Sequence, residues 1–160
     1  MGKVNYEEIE KMTREQERKL RFDHFSNKDA WELGNFITGK IYAENRELAV
    51  AIRRLNGTII YQHLTEGTNH INQNWMERKF HTVSYFERSS LGVWAKEEGS
   101  EDTAEKNGLK KENFAFVGGG FPIRLKTGEI VAVLTVSNLP HMDDHGFIIE
   151  ALSEYLGKEM

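Results

Sequence analysis

The sequence predicts an α/β fold, a three-layer sandwich in which an antiparallel sheet of about five strands carries helices on both faces. Three observations lead there. Residues 118–140 read as two strands, 121–126 and 129–137, joined at Thr127-Gly128. Asn56-Gly57 joins a second pair, 48–55 and 58–64, through a dipeptide strongly favoured in two-residue hairpin loops. Apolar residues then recur at three- and four-residue spacing before, between and after these hairpins, as in amphipathic helices. Tight turns join most consecutive strands, so the sheet is expected to be antiparallel.

The first element, residues 7–20, is polar nearly all round, with Ile9, Met12 and Leu20 as sparse apolar points. It reads as a peripheral N-terminal helix lying on the surface or across a partner subunit. Phe22, Phe25 and Trp31 lead into a second helix, capped by Ser26 or Asn27, with Asp29 favourable in its first turn. Ala30, Leu33, Ile37 and Ile41 give that helix one buried stripe, to about residue 45. Gly34 and Gly39 each cost about 1 kcal/mol of helix propensity, for which close packing is the usual compensation.

A two-residue turn in the first hairpin sets Val50 opposite His63, Ile52 opposite Tyr61 and Arg54 opposite Ile59. Ala49 and Ala51 on the other face are small enough for a helix to approach closely. A third helix is expected over residues 74–88, with Met76, Phe80 and Val83 toward the core. Glu77, His81, Tyr85 and Arg88 form a second, polar stripe on it. Residues 90–96 read as a further helical piece. Residues 97–111 read as a charged connection with a short helix near 103–107, and 114–117 as a short strand. In the central hairpin Lys126 faces Glu129, Leu125 faces Ile130, Ile123 faces Ala132 and Phe121 faces Leu134, which leaves one face wholly apolar. Pro140 opens the last helix, whose core stripe is Ile148, Leu152 and Tyr155 or Leu156.

At 160 residues the chain is expected to form a single domain over 1–160, with residues 1–20 as its peripheral helix. No apolar run approaches the roughly 20 residues that cross a bilayer, so no membrane partner is expected. The charged, periodic start does not read as a secretory signal. The chain has no cysteine, which excludes disulfides, thiolate metal sites and cysteine nucleophiles and suits a cytoplasmic location. A net charge of -4 argues against nucleic acid as a partner.

His141 and His145 stand four residues apart, a spacing that can share a metal. Met142 occupies the place where the zinc-protease pattern has Glu, and the helix N-terminus accounts for Asp143 and Asp144, so no metal site is expected. His145 alone keeps a ligand or hydrogen-bonding role. His81 lies between Glu77 and Tyr85 on one helix face, where it serves either as a surface partner of Glu77 or as a ligand to haem iron. Arg78 and Lys79 beside it suit carboxylates. Gly118-Gly119-Gly120 either brings backbone N–H groups near an anion or marks a sharp bend. It lacks the Lys-Ser or Lys-Thr of a Walker loop and precedes a strand. Ser89, Ser90 and Ser137 stand in no nucleophile elbow, and the acidic pairs have no visible apolar pocket, so no catalytic residue is assigned.

Four stretches carry a resemblance: FSNKDAWELG, NWMERKFHTVSYFERSS, GGGFPIRLKTGEIVAVLTVSNLP and DDHGFIIEAL, in this order and spacing. Together they resemble the uncharacterised branch of the GlcG/HbpS-like haem-degrading domain family, over about residues 20–156. Trp75, Glu77, Arg78 and Lys79, and Gly118, Gly119 and Phe121 to Arg124, are its specific parts; Asp144-His145 also fits, and His141 does not belong to the pattern. The resemblance implies a profilin-like sandwich that assembles into dimers or larger rings, with a pocket at a subunit interface near the third helix and the glycine run. Some members of the family bind or degrade haem. For this chain it implies an oligomer that binds a small anionic or planar ligand, with haem as the candidate cofactor. The ligand-binding residues would be Arg78, Lys79, His81, Gly119, Gly120, Phe121 and His145. The two cations would hold anionic groups, an imidazole would face the ligand, and the glycine run would shape the wall. The alternative is a non-catalytic oligomeric adaptor or assembly protein.

Overall fold

The computed structural model describes residues 3–160. The chain runs α1 (Tyr6–Lys19), β1 (Arg21–Phe22), α2 (Asn27–Ala43), β2 (Ala49–Arg54), β3 (Ile59–Leu64), α3 (His70–Phe86), α4 (Ser90–Lys96) and α5 (Asp102–Lys106). A 3-10 turn at Lys111–Asn113, β4 (Gly120–Leu125), β5 (Ile130–Ser137) and α6 (His141–Leu156) follow. One five-stranded sheet has the order β1-β4-β5-β2-β3, so the two hairpins lie side by side with β5 at the centre.

Both hairpin registers hold in their inner halves and slip near their turns. Val50 faces His63, Ile52 faces Tyr61, Phe121 faces Leu134 and Ile123 faces Ala132, as the turns predict. Each hairpin then carries an irregularity, so that Arg53 rather than Arg54 meets Ile59, and Arg124 rather than Leu125 meets Ile130. A bulge of this kind adds local twist and re-aims the side chains beside it.

The sheet is mixed, which corrects the all-antiparallel expectation. β1 pairs with β4 in parallel, setting Arg21 beside Arg124 and Phe22 beside Leu125. Two residues carry no legible alternation, so the strand leaves no mark in the sequence. Residues 114–117, expected as a strand, lie outside the sheet. Side chains of α3 satisfy their backbone instead. Arg78 donates to the Phe114 carbonyl, and the Thr82 hydroxyl both donates to the Ala115 carbonyl and accepts from the Ala115 N–H.

The helices cover the two faces unequally. Ser26 and Asp29 form a reciprocal capping box at the start of α2, satisfying two orphan donors. α2 and α6 pack Leu33, Ile37, Ile41, Ile148 and Leu152 against Val50, Ile52, Phe121, Ile123 and Leu134 in one apolar cluster. Gly34 allows α2 to sit directly on the Tyr61 ring, where a β-carbon would overlap it; no such contact explains Gly39. α3 lies on the opposite face, with Met76 against Ala49 and Ala51 and with Phe80 and Val83 against Val133. It begins four residues earlier than its apolar stripe suggests, because Asn69 and Asn72 cap it reciprocally. Glu87, in the left-handed region at φ 56, ends it and turns the chain into α4. α1 is no free surface helix: it buries Thr13, Gln16 and Glu17, the last of which accepts the Ser89 N–H at the start of α4.

Candidate functional site

A cleft of about 440 Å³ opens where the first half of α3 meets the β5–α6 connection. Ile71, Asn72, Trp75 and Lys79 line it from α3; Ser137, Asn138, Leu139, His141 and Asp144 line it from the connection and the start of α6. Asn138 is held at φ 137, an unfavourable conformation for a residue with a β-carbon. Its side chain donates to the Glu47 carbonyl and accepts from Asn72, which fixes the loop in that shape. Strained backbone that its surroundings over-determine is a mark of functional sites.

Lys79 and Asp144 form the floor. Each side chain is 3% exposed, and Lys79 Nζ lies 2.9 Å from Asp144 Oδ2. The ammonium also donates to the Val136 carbonyl at 2.9 Å, and Asp144 Oδ1 accepts the Leu139 N–H at 3.0 Å. Burial pulls the Lys79 ammonium below its usual range and pushes the Asp144 carboxyl above its own; each charge partly offsets the shift of the other. Gly119, at φ 120, makes this contact geometrically possible, since a β-carbon there would press on both Lys79 Nζ and the Val136 carbonyl. His141 accepts the Gly118 N–H at Nδ1, 3.1 Å away, which leaves the proton on Nε2. Burial and the nearby Lys79 charge hold this imidazole below its ordinary range, so it is neutral at pH 7.

The other expected residues go elsewhere. Arg78 points away from the floor, forks onto the Phe114 carbonyl at 2.7 and 3.1 Å, and stacks 4.4 Å from the Trp75 ring centre. His81 donates from Nδ1 to the Asn113 carbonyl at 2.9 Å, leaving the lone pair on Nε2. Gly120 donates to the Ser90 hydroxyl inside the fold, and Phe121 is wholly buried in the apolar cluster. His145 lies beneath α1, donating from Nε2 to Gln16 Oε1 at 2.7 Å, while its buried Nδ1 has no partner. Burial pushes it down to about 4.

Of the seven residues, then, Lys79 alone lines the cleft, and Gly119 lies against its ammonium. Arg78 and His81 lie on the outer side of α3, and Gly120, Phe121 and His145 lie within the fold. Sequence reasoning missed Asn72, Ser137, Asn138, His141 and Asp144 as neighbours in one site. In the sequence the dipole of its own helix accounts for Asp144, and nothing local marks a partner 65 residues away. Among the described residues no group of three His, Cys, Asp or Glu side chains is placed to hold a metal ion.

Residues 25–153 match the family model described as "Haem degrading protein HbpS-like". The UPF0303 protein of Paraburkholderia phymatum is 38% identical over 145 residues, 90% of this chain and 87% of that protein. The crystal structure of the Ybr137w protein superposes with a TM-score of 0.83 at 28% identity, covering 98% of this chain and 90% of that one. A complex of PduOC with haem has a TM-score of 0.62 at 12% identity, over 81% and 93% of the two chains, a likeness of fold alone. The match over most of the chain and the close UPF0303 relative lead to one conclusion: the chain belongs to the HbpS-like family, on the branch its UPF0303 relatives form.

Proposed function

We propose that the protein is an oligomeric binding module for a small anionic or planar molecule, with haem as the candidate, seated in the cleft above Lys79. The carrying observation is the unused capacity of that ammonium. It has three N–H groups and spends two, on Asp144 and the Val136 carbonyl, within a wall of the cleft. A carboxylate in the cleft would take the third. Trp75 offers a flat wall, its ring braced by Arg78 from the outer side of α3, and the Nε2–H of His141 adds a second donor in the lining.

The cleft suits the carboxylates and the plane of a haem; its own imidazole does not suit the iron. His141 carries its proton on Nε2 and its Nδ1 lone pair is taken. His81 has the tautomer of a metal-bound histidine, Nδ1–H on a backbone carbonyl and Nε2 free, but it lies on the outer side of α3. An iron bond would have to come from outside the cleft. Exposed Ile71, Trp75 and Tyr85 on the same helix support a second copy packed against it.

Haem titration with mass spectrometry of the native protein tests this reading. A shifted Soret band at stoichiometric haem, with affinity lowered at least tenfold in Trp75→Ala, is the expected result. Another co-purified anion displaced by the same substitution would keep the cleft and replace haem. An unchanged spectrum with no co-purified molecule would leave the adaptor reading. That reading is favoured by Trp31 and Tyr42, both more than half exposed and three helical turns apart on one face of α2.

A further inference from the structure

A second cleft, of about 420 Å³, lies at the other end of α3, bounded by α1, β1, the α3–α4 turn and β4. Six basic residues line it: Arg14, Arg18, Arg21, Arg88, Lys96 and Arg124. In a chain of net charge -4 such a concentration is anomalous. The acidic residues beside it offset only part of this charge, since Glu10, Glu15, Glu17 and Glu87 stand against six cations. Glu17 is turned inward, accepting the Ser89 N–H and one nitrogen of Arg124. Glu10 serves Arg14 and Arg88 together, and Glu15 serves Arg18. Glu87, also in the lining, gives its backbone carbonyl to Arg124.

Two further observations suit an anion at this place. Arg21 and Arg124 are register partners in the parallel β1–β4 pair, where like charges side by side are unfavourable unless something negative lies between or above them. Arg88 Nε, Arg88 Nη2 and Arg124 Nε have no hydrogen-bond partner within the protein, so neither guanidinium is fully satisfied by the carboxylates and carbonyl that it meets.

We infer that this cleft is a binding site for a phosphorylated small molecule, distinct from the cleft above Lys79. Guanidinium groups converge on it from a helix, two strands and a turn. A tetrahedral phosphoryl group accepts from all of those directions, while a planar carboxylate accommodates one or two forks in its own plane. The volume falls within the range of about 300–1,000 Å³ usual for small-molecule sites, and Phe86 in the lining gives an organic moiety an apolar surface.

Calorimetric titration of the full chain with inorganic pyrophosphate at low ionic strength tests the assignment, with citrate as the carboxylate control. Pyrophosphate should bind with sub-millimolar affinity, citrate at least tenfold more weakly. Binding should weaken steeply with added salt, as screening requires. Arg18 and Lys96 are exposed rim residues, so Arg18→Gln combined with Lys96→Gln should leave the fold intact and lower the affinity about tenfold. Trp75→Ala should leave it unchanged. Absence of heat with pyrophosphate, citrate binding as tightly, or an affinity indifferent to the rim substitutions would each overturn the assignment.

Discussion

Beneath α2 and α6, the sheet presents Val50, Ile52, Phe121, Ile123, Leu134 and Val136 to one continuous apolar cluster. Beneath α3, the same strands present Ala49, Ala51, Arg53, Gly120, Thr135 and Ser137, and the apolar contacts break into two small groups. The first face holds the molecule together by area removed from water. The second gives up area for room and hydrogen-bonding groups, and both clefts lie along the helix that covers it. Buried polar groups there are costly singly and tolerable only as completed sets. The α3 face should therefore be brittle toward loss of one partner and forgiving toward replacement of a whole pair.

The sharpest way to break this contrast is Asp144→Ala. It strands the buried Lys79 ammonium and should cost about 3–5 kcal/mol by urea unfolding at pH 7, whereas Lys79→Met with Asp144→Leu should return close to the parent. Equal losses in the single and double variants would put the α3 face on the same footing as the other. On the apolar face, Leu134→Ala should cost about 3 kcal/mol through lost transfer energy and a residual cavity, with no second change able to restore it except refilled volume.

The pH dependence should come from the edge of the apolar cluster. His145 is buried neutral, its folded value pushed down to about 4 against the ordinary 6.5. Above about pH 6.5 both states are neutral and the stability is intact. As pH falls from 6.5 toward 4 the unfolded chain takes up a proton that the folded chain does not, so stability is lost, by about 2 kcal/mol at pH 5. Urea midpoints across pH 4–7 measure this, and His145→Gln should flatten that portion of the curve. The smallest effect is at a helix start remote from both clefts. Ser26→Ala removes half of a capping box and should cost about 1 kcal/mol, read as a lower midpoint with an unchanged slope.

How far the sequence could be read follows the same division. Alternation along 121–126 and 129–137 identified the apolar face, because period-2 burial writes itself into neighbouring residues. Ala49 and Ala51 announced a closely packed helix, and Met76, Phe80 and Val83 identified that helix. What could not be read were pairings set by tertiary contact alone. Lys79 finds Asp144, Gln16 finds His145, and Thr82 holds Ala115, with no spacing to mark any of them. The polar N-terminal helix looked peripheral because its buried residues, Thr13, Gln16 and Glu17, are not apolar. The slipped registers near both turns were hidden for another reason: an irregularity depends on the twist the sheet as a whole adopts.

Residues 113–117 are moored to α3 by side chains instead of being woven into the sheet, with Arg78, His81 and Thr82 as the moorings. Casting off that stretch would leave every ladder hydrogen bond of the five strands in place. A molecule engaging the free Nε2 of His81 leaves that mooring in place. One that takes the Nε and Nη2 fork of Arg78 competes with the Phe114 carbonyl, so capture by that fork and release of this strap are thermodynamically linked and each promotes the other. Hydrogen exchange would register the linkage as amides of 113–117 losing protection on ligand addition while β4 and β5 keep theirs.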